Sequence, residues 1–571
     1  MSALSPVVVG IDLGTTFSCA GVWSRDEPGV RIVTLDEGHR TMPSCVTMGS
    51  HGQVTATGRA AERLPGLVRN VKRDMGTVTR GSYAEVVSKH ILQSIKERVQ
   101  REVGFDVLQT VVTVPAYFTN EQRASTKRAA ERAGWVVMKV LNEPTAAALA
   151  YGYRNCESDK NILIYDWGGG TFDVTILTMD QSVFDVRSTA GNTRLGGEDL
   201  TDTVAERLRE QHAGTAVINY SDEDIRRHCE QAKCTLSLQP SADLAGCCTL
   251  TRFAFNALCE KHFDETIDLV NRALCDADMD ASDIHEVVLV GGSTRMPHVM
   301  TLLKERFPSS VINNSLHPDE SVAYGATIQA ALLSDYENRP QHIMLMDVIP
   351  LTLGVRTAGG VMTPVLERNT SIPVNAVKRF STHMDNQTCI SISIYEGEMS
   401  LVKDCVFLGD CALEGLPPSP RGALAVAVTF AVDSNGILHV SAVEETCGVT
   451  CTITLNSGVT TLNDIDRQCA LKNAVGRRDA HKLDAIKMRI ALATYVRDVR
   501  ATLPSLRRNE NIPNTHVYDL EEYMVYVDSV LANEGDACDP TAVVEFDQTI
   551  RKLAHRLNIH SSSPAPTATV I

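Results

Sequence analysis

"YDWGGGTFDV", residues 165 to 174, sets an acid on either side of three glycines and a threonine. It reads as a strand, a tight turn and a returning strand, in which the missing Cβ atoms let backbone N–H groups approach an anion. Side chains alternate along a strand, so Trp167 should point away from Asp166 and into a core. An earlier run, "GIDLGTTFS" at 10 to 18, repeats the order of apolar strand, Asp, glycine turn, Thr and aromatic. Two copies imply a duplicated, two-lobed domain whose hairpins face each other. A third element, "VVLVGGSTRMP" at 287 to 297, carries a strand into Gly291-Gly292-Ser293 and a helix start at Pro297. A strand, a glycine turn and a helix N-terminus seat a nucleotide. The flanking acids would meet a cation, and Mg2+ takes such carboxylates commonly through water. No GxxxxGK[ST] occurs, so this is not a P-loop.

At 571 residues the chain exceeds one core, and two or three domains are expected. Its 54 basic against 70 acidic residues, net −16, exclude nucleic acid or an anionic membrane as the main partner. The longest apolar runs, such as "ALAVAVTFAV" at 423 to 432, fall short of the ~20 residues that span a bilayer. The start "MSALSPVVVGIDLG" lacks a basic segment and a cleavage site, so no targeting peptide and a cytoplasmic location are expected. The 16 Cys show no CxxC pair and read as reduced thiols, with zinc unexpected.

Apolar runs at 7–11, 107–114, 135–142, 161–165 and 286–290 alternate with helical stretches, an α/β signature. Leu92, Ile95, Val99 and Val103 mark one amphipathic helix, and a capping box from Thr119 to Gln122 opens another that stops near Gly134. From 340 to 457 the period becomes two, as at Ile390, Ile392 and Ile394, and Asn435-Gly436 signals a tight turn. Between the regimes, "HIMLMD" at 342 to 347 reads equally as an apolar linker docked on a neighbour and as a first β-strand. After 460 helical periodicity returns at Leu492, Val496, Val499 and Leu503, and "SSSPAPTATVI" reads as a disordered tail.

These motifs stand in an order that resembles the 70-kDa heat-shock protein (Hsp70-type) chaperones of the actin-like ATPase superfamily. The matching runs are "GIDLGTTFSCAGV", "NEPTAAALAYG", "YDWGGGTFDVTIL", "LVGGSTRMP", "HPDESVAYGATIQAA", "DVIPLTLGV", "DNQTCISISIYEGE" and "GLPPSPRGALAVAVTFAVDSNGILHVSA". The resemblance implies an actin-like ATPase domain at 5–337, a linker at 338–347, a β-sandwich substrate domain at 348–460, an α-helical lid at 461–560 and a tail at 561–571. It implies ATP hydrolysis coupled to capture and release of extended hydrophobic segments of unfolded proteins. Two rival readings are a nucleotide-binding regulator or exchange factor of a conventional chaperone, and an ATP-independent holding protein.

Carried over by motif, Asp12, Gly14, Thr15, Thr16 and Phe17 form one phosphate hairpin, and Asp166, Gly168, Gly169, Gly170, Thr171 and Asp173 the other. Asp12 and Asp166 would organise Mg2+ through water, with Asp12 and Asp173 near K+ sites. Lys72 and Glu143 would position the attacking water; read without the resemblance, Lys72 is a solvated surface lysine. Gly196, Gly197, Glu230, Lys233, Ser237, Gly291, Gly292, Ser293, Arg295, Met296 and Asp319 would surround the rest of ATP or ADP. Cys234 stands where the family commonly has an Arg stacked on adenine, a loss of ~0.5–2 kcal/mol, or up to roughly thirtyfold in affinity. A lobe of a few dozen residues is missing between Lys72 and a helix near Tyr83, so exchange factors should grip poorly.

For coupling, the resemblance points to Pro115, Arg123, Lys127 and Lys139, to the linker residues Ile343 to Met346, among them Leu345, to the acid Asp347, and to a J-domain partner. The peptide would lie among Val355, Thr357, Phe380, Ile390, Ile392 and Ile394, under an arch of Ala358 and His383; as pattern alone these are β-sandwich core. The ending "TATVI" lacks the family's acidic EEVD recruiting tail.

Overall fold

The computed structural model describes residues 7–26, 29–50, 52–77, 80–153, 159–180, 183–211, 221–244, 246–340, 344–434, 436–454, 488–489, 491–493, 495–504, 507, 514–533 and 540–556. Ile343, Asn435, the first part of the expected lid and the expected tail lie outside them.

Val7–Leu13 and Phe17–Ser24 form an antiparallel hairpin, as do Lys160–Trp167 and Phe172–Asp180. Each hairpin is extended by two parallel strands: Gln109–Val114 and Val136–Asn142 in one sheet, Glu286–Val290 and Val311–Asn313 in the other. The duplication read from two glycine runs is therefore a repeat of whole sheets. Helices cover these sheets, which is why their strands are continuous apolar runs rather than alternating ones. The helix Gly81–Val103 buries Leu92, Ile95 and Val99, with Val103 only partly covered. It follows directly on a 3-10 turn at Val71–Asp74, so no extra lobe intervenes. The helix Asn120–Arg132 carries the expected capping box, and Gly134 beyond it takes φ +85°. Between the lobes, Glu143–Gly152 and Ser321–Leu332 cross so closely that a Cβ on Gly325 would lie 1.7 Å from the Ala146 carbonyl oxygen. Trp167 turns into the second lobe's core, edge-on to Phe263 at 5.4 Å.

The second domain is a sandwich of two four-stranded antiparallel sheets. One runs Val361–Leu366, Leu353–Thr357, Cys389–Glu396, Val406–Glu414, and the other Val374–Ser381, Ala425–Val432, Leu438–Glu444, Thr450–Thr454. The connector resolves into a single strand, Met344–Val348, which crosses the boundary expected at 347. It pairs in parallel with Val183–Asn192 of the second lobe and antiparallel with Ser371–Ile372. Docked segment and strand are thus one object. Leu492, Val496, Val499 and Leu503 pack with Leu520, Met524, Val527 and Ile550 of the helices Asn514–Asn533 and Pro540–Arg556.

The expectation of reduced thiols fails at two positions, because Cys411 and Cys451 form a disulfide. They lie 40 residues apart in the chain, and only the facing of the two sheets brings them together. Eleven other described cysteines form no disulfide.

Candidate functional site

The two glycine hairpins meet across the cleft between the lobes. A Cβ on Gly169 would sit 1.9 Å from Thr16 Oγ1, and one on Gly170 would sit 2.5 Å from Thr15 Oγ1. Only glycine allows this approach. Around them opens a cavity of about 630 Å3. Asp12, Gly14, Thr15, Thr16, Phe17, Glu143, Asp166, Gly168, Gly169, Gly170, Thr171, Gly197, Glu230, Lys233, Ser237, Gly291, Gly292, Ser293, Arg295, Met296 and Asp319 all line it. Lys72, Asp173 and Gly196 stand behind its wall: Lys72 donates to Glu143 Oε1, Asp173 pairs with Asp166 in register, and Gly196 backs onto Gly169.

Carboxylates outnumber cations here. Burial, reinforced by Glu143, pushes Asp12 up to about 7 and Asp173 up to about 8. Burial, with Glu143 and Asp173 beside it, raises Asp166 well above its ordinary value. Lys72 is buried at the same place and opposes each of these shifts. Asp166 Oδ2 and Asp173 Oδ1 are buried without a hydrogen-bond donor. Such oxygens are costly unless something positive faces them. Among the described residues no set of three His, Cys, Asp or Glu is arranged to ligate a metal directly. The unpartnered buried oxygens of Asp166 and Asp173 fit a cation held through its own water.

At the far end of the cavity the helix Asp222–Leu238 presents Glu230, Cys234 and Leu238 at four-residue spacing, with Lys233 and Ser237 beside them. Lys233 Nζ donates to Glu230 Oε2 at 2.6 Å and to the Gly197 carbonyl at 2.7 Å, tying this helix to the segment behind the second glycine hairpin. Across from it Arg295 pairs with Asp319 at 2.6 Å. Cys234 lines the cavity, its thiol 3.4 Å from Glu230 Oε1.

Two residues escaped the sequence reading. Arg73 reaches from the first lobe to the Gly170 carbonyl and to both oxygens of Asp199 in the second, closing the lobes over the hairpin. Thr113 donates to Asp12 Oδ1 at 3.1 Å. Arg73 adjoins Lys72 in "NVKRDMG", but no local pattern tells a cross-lobe clamp from a solvated arginine.

The residues expected to couple the domains gather where the docked strand meets the first lobe. Asp347 accepts from Asn142 Nδ2 at 2.8 Å and from Thr145 Oγ1 at 3.2 Å. Arg123 is buried and donates to the Ala116 and Phe118 carbonyls, while Pro115 accepts from Phe118 N–H at 3.1 Å. Burial lowers both Arg123 and Lys139, and the Asp347 carboxylate partly restores each. Leu345 pairs by its backbone with Phe184. Lys127, on the Asn120–Arg132 helix, makes no ion pair among the described residues. Contact between the domains extends through Tyr117 against Leu351 and Arg368 against Asp276 at 2.5 Å.

Val355, Phe380, Ile390, Ile392 and Ile394 are at most 2% exposed and share the sandwich core, so in this conformation they line no open groove. Thr357 is buried with its hydroxyl on Thr363, Ala358 opens a one-turn 3-10 segment, and the His383 N–H donates to Gln387 Oε1.

A family model described as "Hsp70 protein" matches residues 8–85 and 79–558. The chain is 38% identical over 579 aligned residues to a Neurospora crassa heat shock 70 kDa protein, covering 92% of this chain and 89% of that one. It is 37% identical to heat shock 70 kDa protein 2 of Paracoccidioides lutzii, over 88% and 85% of the two chains. An Emericella nidulans heat shock 70 kDa protein is 38% identical over 87% and 85%. The family match covers both lobes, the docked strand, the sandwich and the helices, and the chain belongs to the Hsp70 family of ATP-dependent molecular chaperones.

Proposed function

We propose that the cleft between the lobes hydrolyses ATP with Lys72 and Glu143 holding the attacking water, and that the docked strand Met344–Val348 carries the nucleotide state to the sandwich. The observation that carries this reading is the buried Lys72–Glu143 pair facing Asp12 and Asp166 on opposed glycine hairpins. Hydrolysis of a γ-phosphate is chiefly positioning and charge stabilisation, which such a set supplies. Asp12, Asp166 and Thr171 line the place where Mg2+ would bind through water, with K+ near Asp12 and Asp173; the cation would neutralise charge on the phosphates. Thr15, Thr16 and the glycine N–H groups hold phosphate oxygens, and Glu230, Lys233, Ser237, Arg295 and Met296 hold adenosine. Extended apolar peptide would enter among Val355, Phe380, Ile390, Ile392 and Ile394 once the sandwich opens.

A J-domain protein would act near Pro115, Arg123, Lys127 and Asp347. Exchange factors would grip weakly, because the family match breaks at 79–85, where the 3-10 turn and the helix Gly81–Val103 leave no outer lobe. A cytoplasmic location fits the many free thiols. Steady-state ATP turnover, measured alone, with an apolar peptide and with a J-domain protein, tests the reading. Stimulation by both supports it; turnover that neither partner changes would point to a nucleotide-binding regulator.

A further inference from the structure

The cysteine pair is the one covalent link the fold adds to the described chain. Cys411 lies on Val406–Glu414, the outermost strand of one sheet, and Cys451 on Thr450–Thr454, the outermost strand of the other. The bond therefore joins the two sheets along one open edge of the sandwich. At the opposite edge Val361–Leu366 and Val374–Ser381 are joined by a hydrogen bond from Lys378 Nζ to the Pro364 carbonyl, at 2.7 Å. Cys411 stands directly opposite Ile392 in register, and Thr450–Thr454 is the last strand among the described residues.

We propose that Cys411–Cys451 is a redox-switched clasp that sets how readily the sandwich opens to take up or release an extended peptide. Part of this rests on the reading that peptide lies among Ile390, Ile392 and Ile394. Those side chains are closed into the core, so a peptide reaches them only if the two sheets part or their strands shift. A covalent tie beside Ile392 opposes that motion. The bond also keeps unusual company: eleven described cysteines in the same chain form no disulfide, and a disulfide among many thiols is one that exchange can reach. Cys411 is 6% exposed and Cys451 more so, which makes the Cys451 sulfur the point of attack.

A dithiol reductant supplies the chemistry. Its thiolate attacks Cys451 Sγ, the Sγ–Sγ bond breaks, and Cys411 leaves as a thiolate that takes up a proton. The second thiol of the reductant then displaces Cys451 as a thiol and closes the reductant into a disulfide. The clasp gains two electrons and two protons, and the reductant loses the same number.

The test uses the full chain with ADP, a fluorescent apolar peptide and dithiothreitol as the dithiol. Differential alkylation and mass spectrometry should find Cys411 and Cys451 protected before reduction and free after it. Hydrogen exchange should quicken in 389–396 and 450–454 on reduction, and peptide release should speed by about threefold or more. The double variant Cys411→Ala/Cys451→Ala should release peptide at the reduced rate in either buffer; if it folds poorly, the reduced wild type supplies the same comparison. Free alkylation of both cysteines without reductant would overturn the proposal, as would equal release rates in the two redox states. Ile390→Asp separates the underlying reading: peptide binding that survives it removes the site, whatever the clasp does to exchange.

Discussion

In the nucleotide cleft Phe17, 45% exposed, and two glycine hairpins stand around an open cavity, whereas in the sandwich Ile390, Ile392 and Ile394 are at most 1% exposed. A polar ligand and an apolar one require different resting states. Backbone N–H groups and hydroxyls can face water in an open cavity until phosphate arrives, so the cleft need not collapse. An apolar groove left open forfeits its contacts and collapses into the nearest packing. The cleft is therefore held ready, whereas on the proposed function the sandwich must be opened by work done elsewhere. The docked strand Met344–Val348, hydrogen-bonded to both domains, is placed to deliver that work. Energetic coupling of such sites typically amounts to ~1–3 kcal/mol.

That contrast can be broken most decisively at Lys72. Lys72→Ala should slow single-turnover ATP hydrolysis by about a hundredfold or more while nucleotide still binds. Near-normal turnover would mean the buried pair is structural. In the sandwich, Ile392→Ala should cost ~2–5 kcal/mol of β-domain stability in denaturant melts, the range for a core position. A loss of peptide affinity without that destabilisation would mean the groove is open in solution.

The crowded carboxylates give a third handle. Because burial and Glu143 raise Asp12 to about 7 and Asp173 to about 8, the stability they contribute is complete at low pH and disappears as pH rises through those values. In chelator, melting of the ATPase domain should fall between about pH 4 and pH 8, and Mg2+ with ADP should flatten the curve. A slope that ignores the ligand would show that these acids face no cation.

Glu396 sharpens the comparison from the other side, since it lies at the junction of the two regions. Burial raises it to about 7, Arg123 opposes the shift, and its Oε2 has no donor. Docking should therefore be firmer near pH 6 than near pH 8, read as protease protection of the 338–347 segment with ATP, and Glu396→Gln should remove the difference. The smallest effect is expected at Cys234, where Cys234→Arg should tighten ADP by several-fold to about thirtyfold in a titration. Unchanged affinity would mean that Leu238 and Arg295 already enclose the base.

How legible each part was follows from how local its cause is. The glycine hairpins were readable because glycine, Thr and Asp at fixed spacing serve one local geometry, repeated twice. Ile390, Ile392 and Ile394 announced a strand with one apolar face, yet the same alternation describes a groove and a core. The apolar connector was ambiguous for a similar reason, and its partner Val183–Asn192 lies far back in the chain.

The sequence alone determined the two-lobed nucleotide fold, the β domain behind it and the orientation of Trp167, because strand period, glycine turns and helix caps act over a few residues. Tertiary structure decided the rest: Arg73 clamping Gly170 to Asp199, Cys411 meeting Cys451, and Asp347 seated on Asn142. Each joins groups far apart in the chain, and such contacts are set by how sheets pack and domains dock, which no local run of residues encodes.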